Sequence, residues 1–437
     1  MYGPLPALPP RPPHRALRLT FGVLLVVALF LAAGNVVLFL GRLATGRPAA
    51  TFVAGDQGLT DLLARRAAAV TRHDEAAFLA DVDQEDPRFV ERQRTEYRNL
   101  VALGLSSFSL TLTEPSRYRP ANDSPLIRRY GGQVREVGVT VKYAVSGVDT
   151  EPEAEPWVPS FGFAHGRWLL AGEETAGGNR NLPFGAGGQP WEARPVNVVR
   201  AAHVVVVTSK EDAEIAPHLI DLAERGVANV LRFRKAGWPG KALVVAVSDQ
   251  KVFDSYFESS PDTLSEIEAV SIPRYNEVPE WDGNAHRVLS RVVFNPAALG
   301  TGDEELQHTL THELAHVALG LVTSDSTPRW LVEGMAEYVA YASEDTPDSV
   351  VRQYARHVSA TALPPDGSFY DSADNYVLSW LAVKMIALRY GQAKAFALYE
   401  WFQGHSDADE GLRAVLGTSL SGLTAAWLAY LDKARTA

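Results

Sequence analysis

The spacing of apolar and polar residues changes several times along this 437-residue chain, and each change predicts an element. Leu19 to Gly41 is apolar apart from Thr20 and Asn35. That run is long enough to cross a hydrocarbon core of ~30 Å as a helix. A cleaved leader has a shorter apolar stretch of roughly 7–15 residues, so a signal-anchor over residues 19–41 is expected. Arg11, His14, Arg15 and Arg18 precede the run, with Arg42 and Arg47 after it. This charge bias predicts an inside N-terminus, a single span at the cell membrane and an extracytoplasmic bulk. Residues 1–18, rich in proline from Pro4 to Pro13, are expected to be a disordered cytoplasmic tail.

Beyond the span the apolar period is helical from Leu59 to about Val82 and again from Pro87 to Leu103. It then alternates or turns β-branched over Phe108–Leu112, Val134–Tyr143, Trp157–Phe163 and Arg167–Ala171, with turn residues between. Helices followed by antiparallel strands predict an α+β domain over residues 51–176. This order of elements resembles the cone-shaped fold of the nuclear-transport-factor-2-like (NTF2-like) superfamily. Asp81 and Asp83 are expected at solvated helix ends. Gly177 to Pro190 is glycine-rich, so residues 177–195 are expected to link this domain to a second one over 196–437. There Ala202–Thr208, Ala242–Ser248, Ala269–Ile272 and Arg291–Asn295 read as strands and Ala213–Arg234 as a helix. Almost everything after Asp303 reads as helix.

Composition narrows the function. Hydrophobic residues make up 46% and charged residues 21%, the balance of a globular protein. The net charge of -11, without a Lys/Arg stripe, argues against a nucleic-acid partner. With no cysteine, disulfides and thiolate metal sites are both excluded.

The chemistry is concentrated in His312-Glu313-Leu314-Ala315-His316 and in Trp330 to Glu337. Leu306, Leu310, Leu314, Val317 and Leu321 predict an amphipathic helix, capped at Thr301 or Asp303. Histidines four apart on it share a face and can reach one metal ion, with Glu313 close enough to act as general base. After a polar turn, a second helix from about Arg329 can return Glu333 as third ligand. Glu337, one turn on, is placed to accept the remaining N–H of a ligand histidine. His308 is discounted as a ligand, because three protein donors suffice for a catalytic site.

The Trp330-Leu331-Val332-Glu333-Gly334 context resembles the third-ligand helix of the gluzincin metallopeptidases, and Val196 to Ala437 is similar to their peptidase MA-like group. The resemblance implies a zincin-type domain holding Zn2+ on His312, His316 and Glu333, with Glu313 as the base of peptide hydrolysis. It also implies an oxyanion donor, for which Tyr376 is the first candidate and Tyr370 and His357 weaker ones. Val292–Asn295 is expected either as the edge strand that pairs with substrate backbone or as an ordinary core strand. The expected activity is a membrane-anchored zinc peptidase acting on peptides or proteins. The competing class is a non-catalytic tethered binding protein with a structural zinc site. Hydrolysis of a non-peptide amide is a third possibility, and the lack of a GxMEN-like sequence tilts the peptidase reading toward endopeptidase action.

Overall fold

The computed structural model describes residues 56–118, 124–131, 133–173, 189–234, 237–254, 256, 267–279, 284–344 and 346–436. The expected tail, the span at Leu19–Gly41 and most of the glycine-rich linker lie outside them. Among the described residues no single helix is long and apolar enough to cross a membrane.

The chain is α+β throughout. Its first region runs α1 (Asp56–Thr71), α2 (Glu75–Leu79), α3 (Pro87–Leu103), β1 (Leu105–Tyr118), α4 (Pro125–Tyr130), β2 (Val134–Val145), β3 (Glu153–Trp157), β4 (Pro159–Ala164) and β5 (Arg167–Glu173). The helix expected over Leu59–Val82 is broken where His73 takes φ 56° and Asp74 caps α2 by accepting from the Ala77 N–H. The strand expected over Trp157–Phe163 is two strands, because long β2 pairs with β3 along Val139–Tyr143 and with β4 along Val134–Glu136. Asp81 and Asp83 are buried rather than solvated. Arg65 Nε donates to Asp81 at 2.9 Å, and Asp83 accepts from Arg129 and, at 2.6 Å, from the Tyr130 hydroxyl.

The second region contains α5 (Pro190–Ala193), β6 (Val196–Arg200), β7 (Val204–Ser209), α6 (Ala216–Phe233), β8 (Ala242–Ala246), α7 (Gln250–Asp254), β9 (Ala269–Tyr275) and β10 (Arg287–Phe294). Helices then follow: α8 (Asp303–Leu319), α9 (Arg329–Ser343), α10 (Asp348–His357), α11 (Asp374–Tyr390), α12 (Gln392–Trp401), α13 (Ala408–Leu416) and α14 (Leu420–Thr436). The strand order is β6-β7-β8-β10-β9, with β7, β8 and β10 parallel and β9 antiparallel at one end. Val292 to Phe294 therefore lies inside the sheet between β8 and β9. The terminal position belongs to β9, and Val292–Asn295 is a core strand and its exit.

Both faces of this sheet are covered, which explains why its strands are continuous apolar runs. Val204, Val206, Val244 and Val292 face the helical layer with Leu310 and Leu314. Their neighbours Val205, Val207, Val245 and Val293 face the first region, packing with Tyr97, Leu100 and Tyr143. The two regions thus share a core, and a buried ionic cluster registers them. Arg291 on β10 grips Asp149 through paired bonds of 2.6 and 2.7 Å and also reaches Glu153; Arg274 on β9 meets Glu153 and Glu155. All four of Arg274, Arg291, Glu153 and Glu155 are buried. Removing one partner from such a cluster strands a charge at a cost of about 3–5 kcal/mol, so it disfavours any other docking of the two regions.

Candidate metal centre

The helix α8 is held from both sides before any chemistry is considered. Leu306, Leu310, Leu314 and Val317 are buried as the apolar stripe requires, whereas Leu321, past the helix end, is exposed. Gly226 of α6 gives way to Leu314: a β-carbon at Gly226 would stand 2.7 Å from Leu314 Cδ1. The N-cap is Gly302, without a side-chain bond, rather than Thr301 or Asp303. Asp303, Glu304 and Glu305 instead place acidic charge against the N-terminal end of the helix dipole. From Trp330 to Glu337, α9 is buried throughout, and a polar turn ending at Pro328 brings it back beside α8.

This packing brings together the residues expected as ligands. The Nε2 atoms of His312 and His316 face each other at 3.0 Å, and Glu333 Oε2 lies 3.5 Å from the first and 3.3 Å from the second. All three side chains are almost wholly buried. A tetrahedral ion with donors at about 2.0–2.2 Å has donor-to-donor edges of roughly 3.3–3.5 Å, so the triangle fits one ion. Glu333 Oε2 has no hydrogen-bond partner among the described residues, and neither oxygen of Glu313 has one. Buried carboxylate oxygens are rarely left so. The donor set of two imidazoles and a carboxylate, with a second carboxylate beside it, matches a divalent-metal site with a general base.

Burial and the shared charges of these groups shift their protonation. Burial pushes the Glu313 carboxyl up to about 8, and Glu333, Glu268 and Glu337 add to the rise against the pull of His312. Burial opposes charge on His312, yet Glu333 and Glu337 raise it to about 10, while burial holds His316 below its ordinary value. Glu337 Oε1 stands 3.4 Å from His312 Nδ1, which has no hydrogen-bond partner among the described residues.

The tyrosines divide the remaining positions. Tyr376, near the start of α11, is buried, and its hydroxyl has no partner among the described residues. The hydroxyl of Tyr370 donates to Glu333 Oε1 at 3.4 Å, and its ring carries the Arg329 guanidinium at 5.1 Å. His357 is exposed and contacts the Gln353 carbonyl of its own helix, which removes it as a candidate. Sequence reasoning passed over Glu268, just before β9, which accepts from the Thr309 hydroxyl of α8 and is raised by burial and by Glu305. Its place after an ambiguous segment gave no signal. The His308 ring faces the carboxylates of Glu337 and Glu344.

Residues 279–433 match the family profile of the Peptidase MA superfamily, and this stretch contains both α8 and α9. Over that stretch the chain is similar to the peptidases of this superfamily. No curated protein matches the chain.

Proposed function

We propose that this protein is a zinc-dependent peptidase of the gluzincin type, anchored to a membrane by Leu19–Gly41 with its catalytic region outside the cytoplasm. The observation that carries the reading is the triangle of His312 Nε2, His316 Nε2 and Glu333 Oε2 beside the unpartnered carboxylate of Glu313. When bound there, zinc supplies a Lewis acid that lowers the pKa of water toward neutrality and polarises a carbonyl.

The chain's own residues do the rest. Glu313 takes a proton from the attacking water on its carboxylate and delivers it to the leaving amine. Glu337 holds the Nδ1–H of His312, fixing the tautomer that turns Nε2 toward the other donors. The Tyr376 hydroxyl, without a partner among the described residues, donates to the oxygen that gains charge as the carbonyl is attacked. The substrate is a peptide or protein. A purely structural site has no use for a free base, so Glu313 favours catalysis over a tethered binding role.

The test is metal analysis of the full chain together with Glu313→Gln. Stoichiometric zinc is expected in both forms, with hydrolysis of a peptide library lost only in the variant. A folded chain that takes up no metal, or a variant that turns over normally, overturns the reading.

A further inference from the structure

The metal triangle is braced from outside by a residue that is not a ligand. His308 lies one turn before His312 on α8, so the two rings project from one side of the helix. Its Nε2 stands 3.2 Å from Glu337 Oε2 and its Nδ1 stands 2.7 Å from Glu344 Oε1. Glu337 and Glu344 are seven residues apart, at the middle and the C-cap of α9, and both reach the same imidazole. The ring rests on Tyr341 at 4.5 Å between centroids. The other oxygen of Glu337, Oε1, faces His312 Nδ1 at 3.4 Å. One buried carboxylate therefore bonds a non-ligand histidine and faces a ligand histidine across 3.4 Å.

The two contacts of His308 decide what it is. An ionised carboxylate only accepts hydrogen bonds, and a neutral imidazole has one donor and one acceptor nitrogen. A ring with a carboxylate on each nitrogen satisfies both only as imidazolium, donating twice. Glu337 is 4% exposed, too buried to leave its charge to water.

We propose that His308 is a positioning residue of the metal centre: as an imidazolium clamped by Glu344, it holds the Glu337 carboxylate in the orientation that fixes the His312 ring. This rests on the metal-centre reading above. The row Glu344, His308, Glu337, His312 runs from the surface to the ligand, with Glu344 36% exposed at its outer end. Without His308, the Glu337 carboxylate has a charge to neutralise and a free oxygen, and it is free to turn away from His312.

Partners one layer outside a ligand are worth about 10–100-fold in metal affinity, so His308→Gln is expected to weaken zinc binding about tenfold. The measurement is competition of the full-length chain against a chromophoric chelator, with melting of the metal-free forms as the folding control. The absorption bands of the cobalt-substituted protein are expected to shift, since the His312 ring reorients, and His308→Lys is expected to recover part of the affinity by restoring a cation. In Glu337→Gln the His308→Gln effect should vanish. Should the buried variant not fold, Glu344→Gln at the outer end is expected to lower affinity severalfold. Wild-type protein that binds zinc while His308→Gln, or Glu344→Gln in its place, binds it equally tightly overturns this proposal alone. A wild-type chain that binds none overturns the metal-centre reading and the proposal with it.

Discussion

Gly334 lies so close to Ser379 that a β-carbon on it would stand 2.5 Å from the Ser379 carbonyl oxygen. This contact lets α9 and α11 approach, and it sits one residue past Glu333, the proposed third ligand. On an exposed helix Gly→Ala gains about 1 kcal/mol from backbone entropy. Here the sign reverses, since the obstacle is rigid backbone, and overpacking of this kind costs roughly 1–3 kcal/mol. Gly334→Ala is expected to lower the midpoint of denaturant unfolding and to weaken metal binding. A rise in stability would show that the helices part without strain.

Tyr376 offers a cleaner separation of catalysis from folding. Its buried hydroxyl has no partner among the described residues, so Tyr376→Phe removes no hydrogen bond from the folded chain. Thermal stability is expected to hold or rise, and metal content to stay full. Loss of an oxyanion donor costs about 10²–10³ in turnover. A variant as fast as wild type takes the role away from Tyr376.

The parts of the site legible in the sequence were those encoded by spacing within a helix or between two consecutive ones. His312, Glu313 and His316 follow from the helical period, and Glu333 and Glu337 from a short turn and the same period. Relations across distant segments were not legible. Arg291 begins an expected strand and Arg274 lies just past another, with nothing to mark either as buried, because Glu153 and Asp149, which neutralise them, lie 121 and 142 residues away. Asp83 read as solvated because Arg129 and Tyr130 come from a helix 46 and 47 residues on. An apolar run such as Val292–Phe294 looks the same inside a covered sheet as at its end, since strand order is set by pairing with β8 and β9. Nothing in the sequence pairs His308 with Glu344, which lies 36 residues on at the end of the next helix.

The α+β region carries a pH dependence of its own. Glu96 on α3 stands 3.2 Å from Arg66 of α1. Burial nevertheless pushes its carboxyl up from 4.5 to about 7, since Arg66 offsets only part of that and Glu173 adds repulsion. The folded chain then keeps a proton on Glu96 that the unfolded chain releases near 4.5. Between these values the folded state binds more protons, so the contribution is fully present below about 4.5 and is lost as pH rises through about 7. At ~1.4 kcal/mol per unit, the swing is at most roughly 3 to 4 kcal/mol. Glu96→Gln imitates the protonated form at every pH. Urea unfolding is expected to give similar stability for both proteins at pH 4.5 and a more stable variant at pH 8. An equal difference at the two pH values would show that Glu96 does not hold its proton in the folded chain.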